Sequence, residues 1–167
     1  MPSEDDTAAM RRAVALSAGG GEATRPNPNV GAVVLDASAA VVGEARHEVA
    51  GGPHAEVLAL RAAGERARGG TLVVTLEPCN HTGRTGPCTE AVLAAGVARV
   101  VYAMADDTNQ ARGGADRLRA AGVHVESGVL AEQAARANER WLTGVREHRP
   151  FVVWKVAATL DGRVAAP

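Results

Sequence analysis

Aromatic residues are almost missing from this chain: two Trp, one Tyr and one Phe in 167 residues. An exposed platform on which nucleic-acid bases could stack therefore has little to be built from. Lysine is nearly absent as well, Lys155 standing alone among the 18 basic residues, and the formal net charge is −1. Nothing in that balance suggests a nucleic-acid coat or an anionic membrane surface as partner. No apolar run is long enough to span a bilayer. The first residues, Met1-Pro2-Ser3-Glu4-Asp5-Asp6, are acidic where a secretory signal is basic and then apolar. Cytoplasm is the expected compartment. Only two cysteines occur, too few for a disulfide scaffold, and in such a chain they point to metal or catalysis first.

What is present is an ordinary globular composition, 46% hydrophobic, long enough for one domain with a sizeable core. Helical and strand patterns alternate along it. Residues 7–18 carry apolar positions among alanines, after residues suited to a helix start, and Gly19-Gly20-Gly21 ends them. Residues 30–35 and 39–43 read as two strands joined by a turn, and 54–66 has a helical period. Residues 71–76 and 99–104 are apolar runs typical of strands buried on both faces. A polar loop, 77–87, and a helix, 89–95, lie between them. Further on, 113–121 reads as a helix, 123–126 as a short strand, and 130–146 as one longer helix. Strands separated by such helices predict an α/β domain with a mixed central sheet between helices, a three-layer α-β-α sandwich. From Phe151 an apolar strand is expected, which either joins the sheet or opens a further domain, since a lone strand cannot bury itself.

Three segments hold the chemistry: Pro53-His54-Ala55-Glu56, Glu77-Pro78-Cys79 and Pro87-Cys88. A His-x-Glu followed by Pro-Cys and a second cysteine is the pattern of zinc nucleobase deaminases. Imidazole and two thiolates suit Zn2+, and three protein ligands leave a fourth position for water. His54, Cys79 and Cys88 are the expected ligands and Glu56 the proton carrier. A closed structural site would need a fourth ligand, and His81 stands too near Cys79 in sequence to serve comfortably. At a helix start His54 and Glu56 can both face a metal off the helix end, while a helix opening at Cys88 would favour its thiolate. Eight residues, not two, separate the cysteines. A loop tethered at both ends by metal ligands can carry substrate contacts, and its His81 and Arg84 are suited to a phosphate.

The run Leu76-Glu77-Pro78-Cys79-Asn80-His81-Thr82-Gly83-Arg84-Thr85-Gly86-Pro87-Cys88 resembles the zinc loop of the riboflavin-biosynthesis deaminases, which act on a diaminohydroxyphosphoribosylaminopyrimidine and are usually fused to a reductase. Arg25-Pro26-Asn27-Pro28-Asn29-Val30-Gly31 and His54-Ala55-Glu56-Val57-Leu58-Ala59-Leu60 are similar to two other signatures of that family. The resemblance implies a cytidine deaminase-like fold and a small phosphorylated aminopyrimidine as substrate. It implies substrate contacts from Asn27, His47, His81, Arg84 and Asp106, with Arg84 on the phosphate. Residues 1–148 would form the zinc-dependent deaminase domain and 149–167 the truncated start of a reductase domain; NADPH would bind only if that domain were complete. The likeness also points to self-association. One stretch departs from the family, which has Asp-Pro-Asn-Pro where this chain has Asp106-Asp107-Thr108-Asn109. Cytidylate, guanine and tRNA-adenosine deaminases are the rival enzymes, and a non-catalytic zinc-stabilised module is the rival outside enzymology. The long loop between the cysteines speaks against the first three.

Overall fold

The computed structural model describes residues 3–83, 85–106, 108 and 113–164. The first helix, α1 (Glu4–Ala18), begins at a capping box. The Ser3 hydroxyl accepts from the Asp6 amide at 3.0 Å, and the Asp6 carboxylate accepts from the Ser3 amide at 2.8 Å. Strands β1 (Gly31–Leu35) and β2 (Val41–Arg46) follow, then α2 (Ala55–Ala63) with a 3-10 turn at Gly64–Ala67. Next come β3 (Thr71–Leu76), α3 (Cys88–Ala95), β4 (Arg99–Met104), α4 (Gly114–Ala120) and β5 (His124–Ser127). Two short helices, α5 (Ala131–Ala137) and α6 (Glu139–Glu147), close the fold.

Among the described residues the strands form one sheet in the order β2-β1-β3-β4-β5. β1 runs antiparallel to both β2 and β3, whereas β3, β4 and β5 are parallel. The central strands are buried along almost their whole length, Arg99 at the start of β4 being the half-buried exception, as their largely apolar and β-branched sequences require. α1 and α5 cover one face; α2, α3 and α4 cover the other. Two glycines set how closely helices approach the sheet. A Cβ on Gly31 would stand 2.0 Å from the Ala13 carbonyl of α1, and one on Gly43 would stand 2.3 Å from the Ala59 carbonyl of α2. The three-layer mixed α/β sandwich expected from the sequence is the fold observed.

Two expectations are corrected. Residues 130–146 are not one helix: they break at Asn138, whose backbone (φ −116°, ψ 16°) leaves the helical region. Its side chain is bound across the fold instead, accepting from the Asn29 amide at 2.7 Å and donating to the Asn29 carbonyl at 2.8 Å. Nor is there a strand from Phe151. Residues 151–158 are without regular structure, and Val152, Val153, Trp154 and Leu160 lie exposed.

The direction of each strand decides where the site falls. β3 and β4 end at the same edge of the sheet, releasing Cys79 and Asp106. Because β1 is antiparallel to β3, its start lies at that edge, and residues 27–30 enter there. β2 turns back again, so Arg46 pairs with Gly31 and His47 follows at the same edge.

Candidate active site

Two helix starts and two strand ends meet at this edge. His54 is the cap residue of α2 and Glu56 lies in its first turn, as the sequence suggests. Cys79 follows β3, and Cys88 is the first residue of α3. Nδ1 of His54 is 3.0 Å from Sγ of Cys88 and 3.5 Å from Sγ of Cys79. One ligand atom from each of the three lies within 4.8 Å of the others. Tetrahedral zinc with bonds of about 2.0–2.3 Å holds its ligand atoms roughly 3.3–3.8 Å apart. The donor set has the chemistry that metal takes, and the His54–sulfur separations of 3.0 and 3.5 Å lie close to that spacing.

The helix end acts on a different thiol than expected. The Cys88 amide, at the positive end of α3, donates to Sγ of Cys79 at 3.4 Å. Cys79 is accordingly held well below the usual thiol range, first by its contact with the Cys88 side chain and then by His54. That same contact, together with burial and the Glu56 charge, pushes Cys88 up. Two thiols this close do not ionise independently, and a divalent cation is what makes two thiolates compatible there. Contact with Cys79 raises His54. Glu56 is 4% exposed and lies against Cys88; burial raises its carboxyl above the ordinary range.

Cys88 is fully buried, while His54, Glu56 and Cys79 open on a cavity of about 410 Å³. Of the substrate contacts expected from the sequence, Asn27, His47, His81 and Asp106 line it; Arg84 lies outside the described residues. His47 is buried, its edge turned to the His54 ring with centroids 5.6 Å apart. Its Nδ1 meets the Pro53 carbonyl at 3.1 Å and its Nε2 meets the Asn27 amide nitrogen at 3.3 Å. Burial, more than the neighbouring His54, lowers its pKa. Asp106 spends its carboxylate on a local turn, accepting from the Thr108 amide at 2.8 Å and hydroxyl at 2.6 Å. Thr108, at the departure from the family pattern, lines the cavity too. Nδ1 of His81 is buried without a partner.

Sequence reasoning missed Thr85 and Trp141. The Thr85 hydroxyl stands 3.5 Å from Nε2 of His54, on the side of the ring away from the sulfurs, where an outer partner orients a metal-binding imidazole. Its place inside the loop between the cysteines was the available signal. Trp141 reaches the cavity from α6. Its position depends on the Asn138 break, which no local pattern announces.

The family model of the cytidine and deoxycytidylate deaminase zinc-binding region matches residues 3–104. The riboflavin biosynthesis protein RibD of Mycobacterium tuberculosis is 54% identical over 144 residues, 86% of this chain and 42% of the relative. That of Escherichia coli is 49% identical over 157 residues, 93% of this chain and 42% of the relative. Among solved structures, a diaminohydroxyphosphoribosylaminopyrimidine deaminase/5-amino-6-(5-phosphoribosylamino)uracil reductase from Thermotoga maritima superposes with a TM-score of 0.90 at 41% identity. It is covered over 47% of its length by 96% of this chain. The chain thus spans less than half the length of these relatives.

Proposed function

The chain belongs to the zinc-binding cytidine and deoxycytidylate deaminase family and is a homologue of the riboflavin biosynthesis proteins RibD, and from this we propose that it hydrolyses the exocyclic amine of 2,5-diamino-6-(5-phosphoribosylamino)pyrimidin-4(3H)-one with release of ammonia. The observation that carries the reading is the buried Glu56 set beside the His54, Cys79 and Cys88 cluster, with Glu56, His54 and Cys79 lining one cavity. Zinc held by that cluster supplies, when bound, the Lewis acid that makes water nucleophilic near neutral pH.

The remaining work falls to the chain's own groups. Glu56 accepts a proton from the attacking water and passes it to the ring nitrogen beside the amine-bearing carbon, which makes that carbon electrophilic. The new C–O bond forms, the C–N bond breaks, and Glu56 carries the hydroxyl proton to the departing ammonia. Its raised pKa suits a carboxyl that must be acid and base in turn. Asn27 and His81 contact the ring and ribosyl portion, His47 holds Asn27 in place, and Arg84 takes the phosphate. By the same likeness, residues 149–167 open a reductase domain like that of the longer Thermotoga maritima deaminase/reductase, and NADPH would belong there.

The experiment is ammonia release by the zinc-loaded chain offered the phosphorylated diaminopyrimidinone and, separately, cytidine and guanine. Turnover of the first alone is expected, and Glu56→Gln should keep its zinc while losing nearly all of it. Release from cytidine or guanine instead would keep the chemistry and refute the substrate.

A further inference from the structure

Three groups in a row determine which atom this site shows its substrate. The Pro53 carbonyl can only accept a hydrogen bond, so Nδ1 of His47, 3.1 Å away, carries a proton. His47 is buried, and its other ring nitrogen, Nε2, faces the amide nitrogen of Asn27 at 3.3 Å, a group that can only donate. Nε2 is then a lone pair, and the Asn27 amide donates to it through its nitrogen. An amide has two ends; with Nδ2 committed to His47, Oδ1 is left for the cavity that Asn27 lines. Among the described residues nothing donates to it.

We infer that Asn27 recognises its ligand as an acceptor, through Oδ1, and that the backbone carbonyl of Pro53 sets this polarity by way of His47. The partner class is a hydrogen-bond donor: an exocyclic amine, a ring N–H or a hydroxyl, as an aminopyrimidine nucleotide offers, and not a ring carbonyl. Pro53 immediately precedes His54, so one loop both delivers a metal ligand and orients the recognition amide. His47 is here a positioning residue. The inference rests on the cavity being the deaminase's substrate site.

Two measurements test it on the zinc-loaded chain. Nitrogen-15 NMR of the histidine rings, with His47 assigned through His47→Gln, should show His47 protonated on Nδ1; protonation on Nε2 overturns the inference without any reference to activity. Asn27→Asp keeps an acceptor facing the cavity and can pair with a protonated His47, whereas Asn27→Leu removes both bonds. The Asp variant should keep at least about a tenth of the wild-type kcat/KM on the phosphorylated diaminopyrimidinone. The Leu variant should lose on the order of a hundredfold, mostly in KM, the effect of leaving a buried partner unpaired. Equal losses in the two overturn the inference. If the wild type does not turn that compound over, the proposed reaction fails, and the ring tautomer alone decides the polarity of Asn27.

Discussion

Replacing Asn138 by alanine should loosen the loop that brings Asn27 to the cavity as well as destabilise the fold. Asn138 is 2% exposed and makes two short bonds to the backbone of Asn29, one at the amide (2.7 Å) and one at the carbonyl (2.8 Å). A third, to the Ala134 carbonyl at 3.4 Å, is weak. Alanine strands both Asn29 groups. A buried polar group left unpaired costs about 1–3 kcal/mol, and Asn29 is only half-buried, so each falls toward the lower end and the pair sums to about 2–4 kcal/mol. In a chain of this size that is a fall in Tm of about 5–15 °C. Asn27 lies two residues from the clamp, so KM should rise by roughly three- to tenfold while kcat changes little, because the metal cluster sits on other elements. Urea and thermal unfolding give the first quantity and initial rates the second. A stability loss below about 1 kcal/mol would mean that water satisfies Asn29 unaided. An unchanged KM beside a large loss would mean that Asn27 is placed independently of the clamp.

Three further outcomes are expected. Asp6 is held below its ordinary pKa: burial opposes ionisation, but the Arg99 guanidinium at 3.0 Å and the Ser3 bonds outweigh it. Its contribution is therefore full above the unfolded-state pKa and lost as pH falls through the lower folded value; Asp6→Asn should cost about 2–3 kcal/mol at pH 7, less than a fully buried pair because Arg99 is partly exposed, and the gap from wild type should close in urea titrations carried into strong acid. Gly31→Ala places a methyl 2.0 Å from the Ala13 carbonyl and should destabilise by about 2 kcal/mol or more in the same assay; a neutral result would show that α1 can shift on the sheet. Chelation of zinc should lower Tm and expose both thiols, with Cys79 (7% exposed) alkylated before Cys88 (0%) by mass spectrometry; equal protection of both with and without chelator would refute the metal assignment.

The site was more legible than the path of the chain around it. His54, Cys79 and Cys88 are recognisable because metal chemistry restricts residue type and spacing, and the structure brings them together with Glu56 against Cys88. β3 and β4 were legible to the residue, since strands buried on both faces are dominated by apolar and β-branched residues, with Arg99 only at the half-buried start of β4. Asn138 was not, because the bonds that break the helix reach residue 29, over a hundred positions away, and periodicity within a window registers only local geometry. The segment from Phe151 misled for the opposite reason: its β-branched run states a strand preference, but preference without a partner strand leaves the segment exposed.

Strand direction explains why these few residues suffice. Had β1 run parallel to β3, its start would lie at the far edge, and Asn27 would face away from Cys79. A single reversal on each side of β1 instead brings the start of β1 and the ends of β2, β3 and β4 to one rim. α2 and α3 begin at that rim, so the positive ends of both helices point toward it. The rim thus combines two helix starts, a soft donor set and a buried acid. At the start of α3 the Cys88 amide already donates to the Cys79 sulfur, so the backbone favours a thiolate there before any metal acts, which is why helix starts, and not helix faces, carry the donor set in this fold.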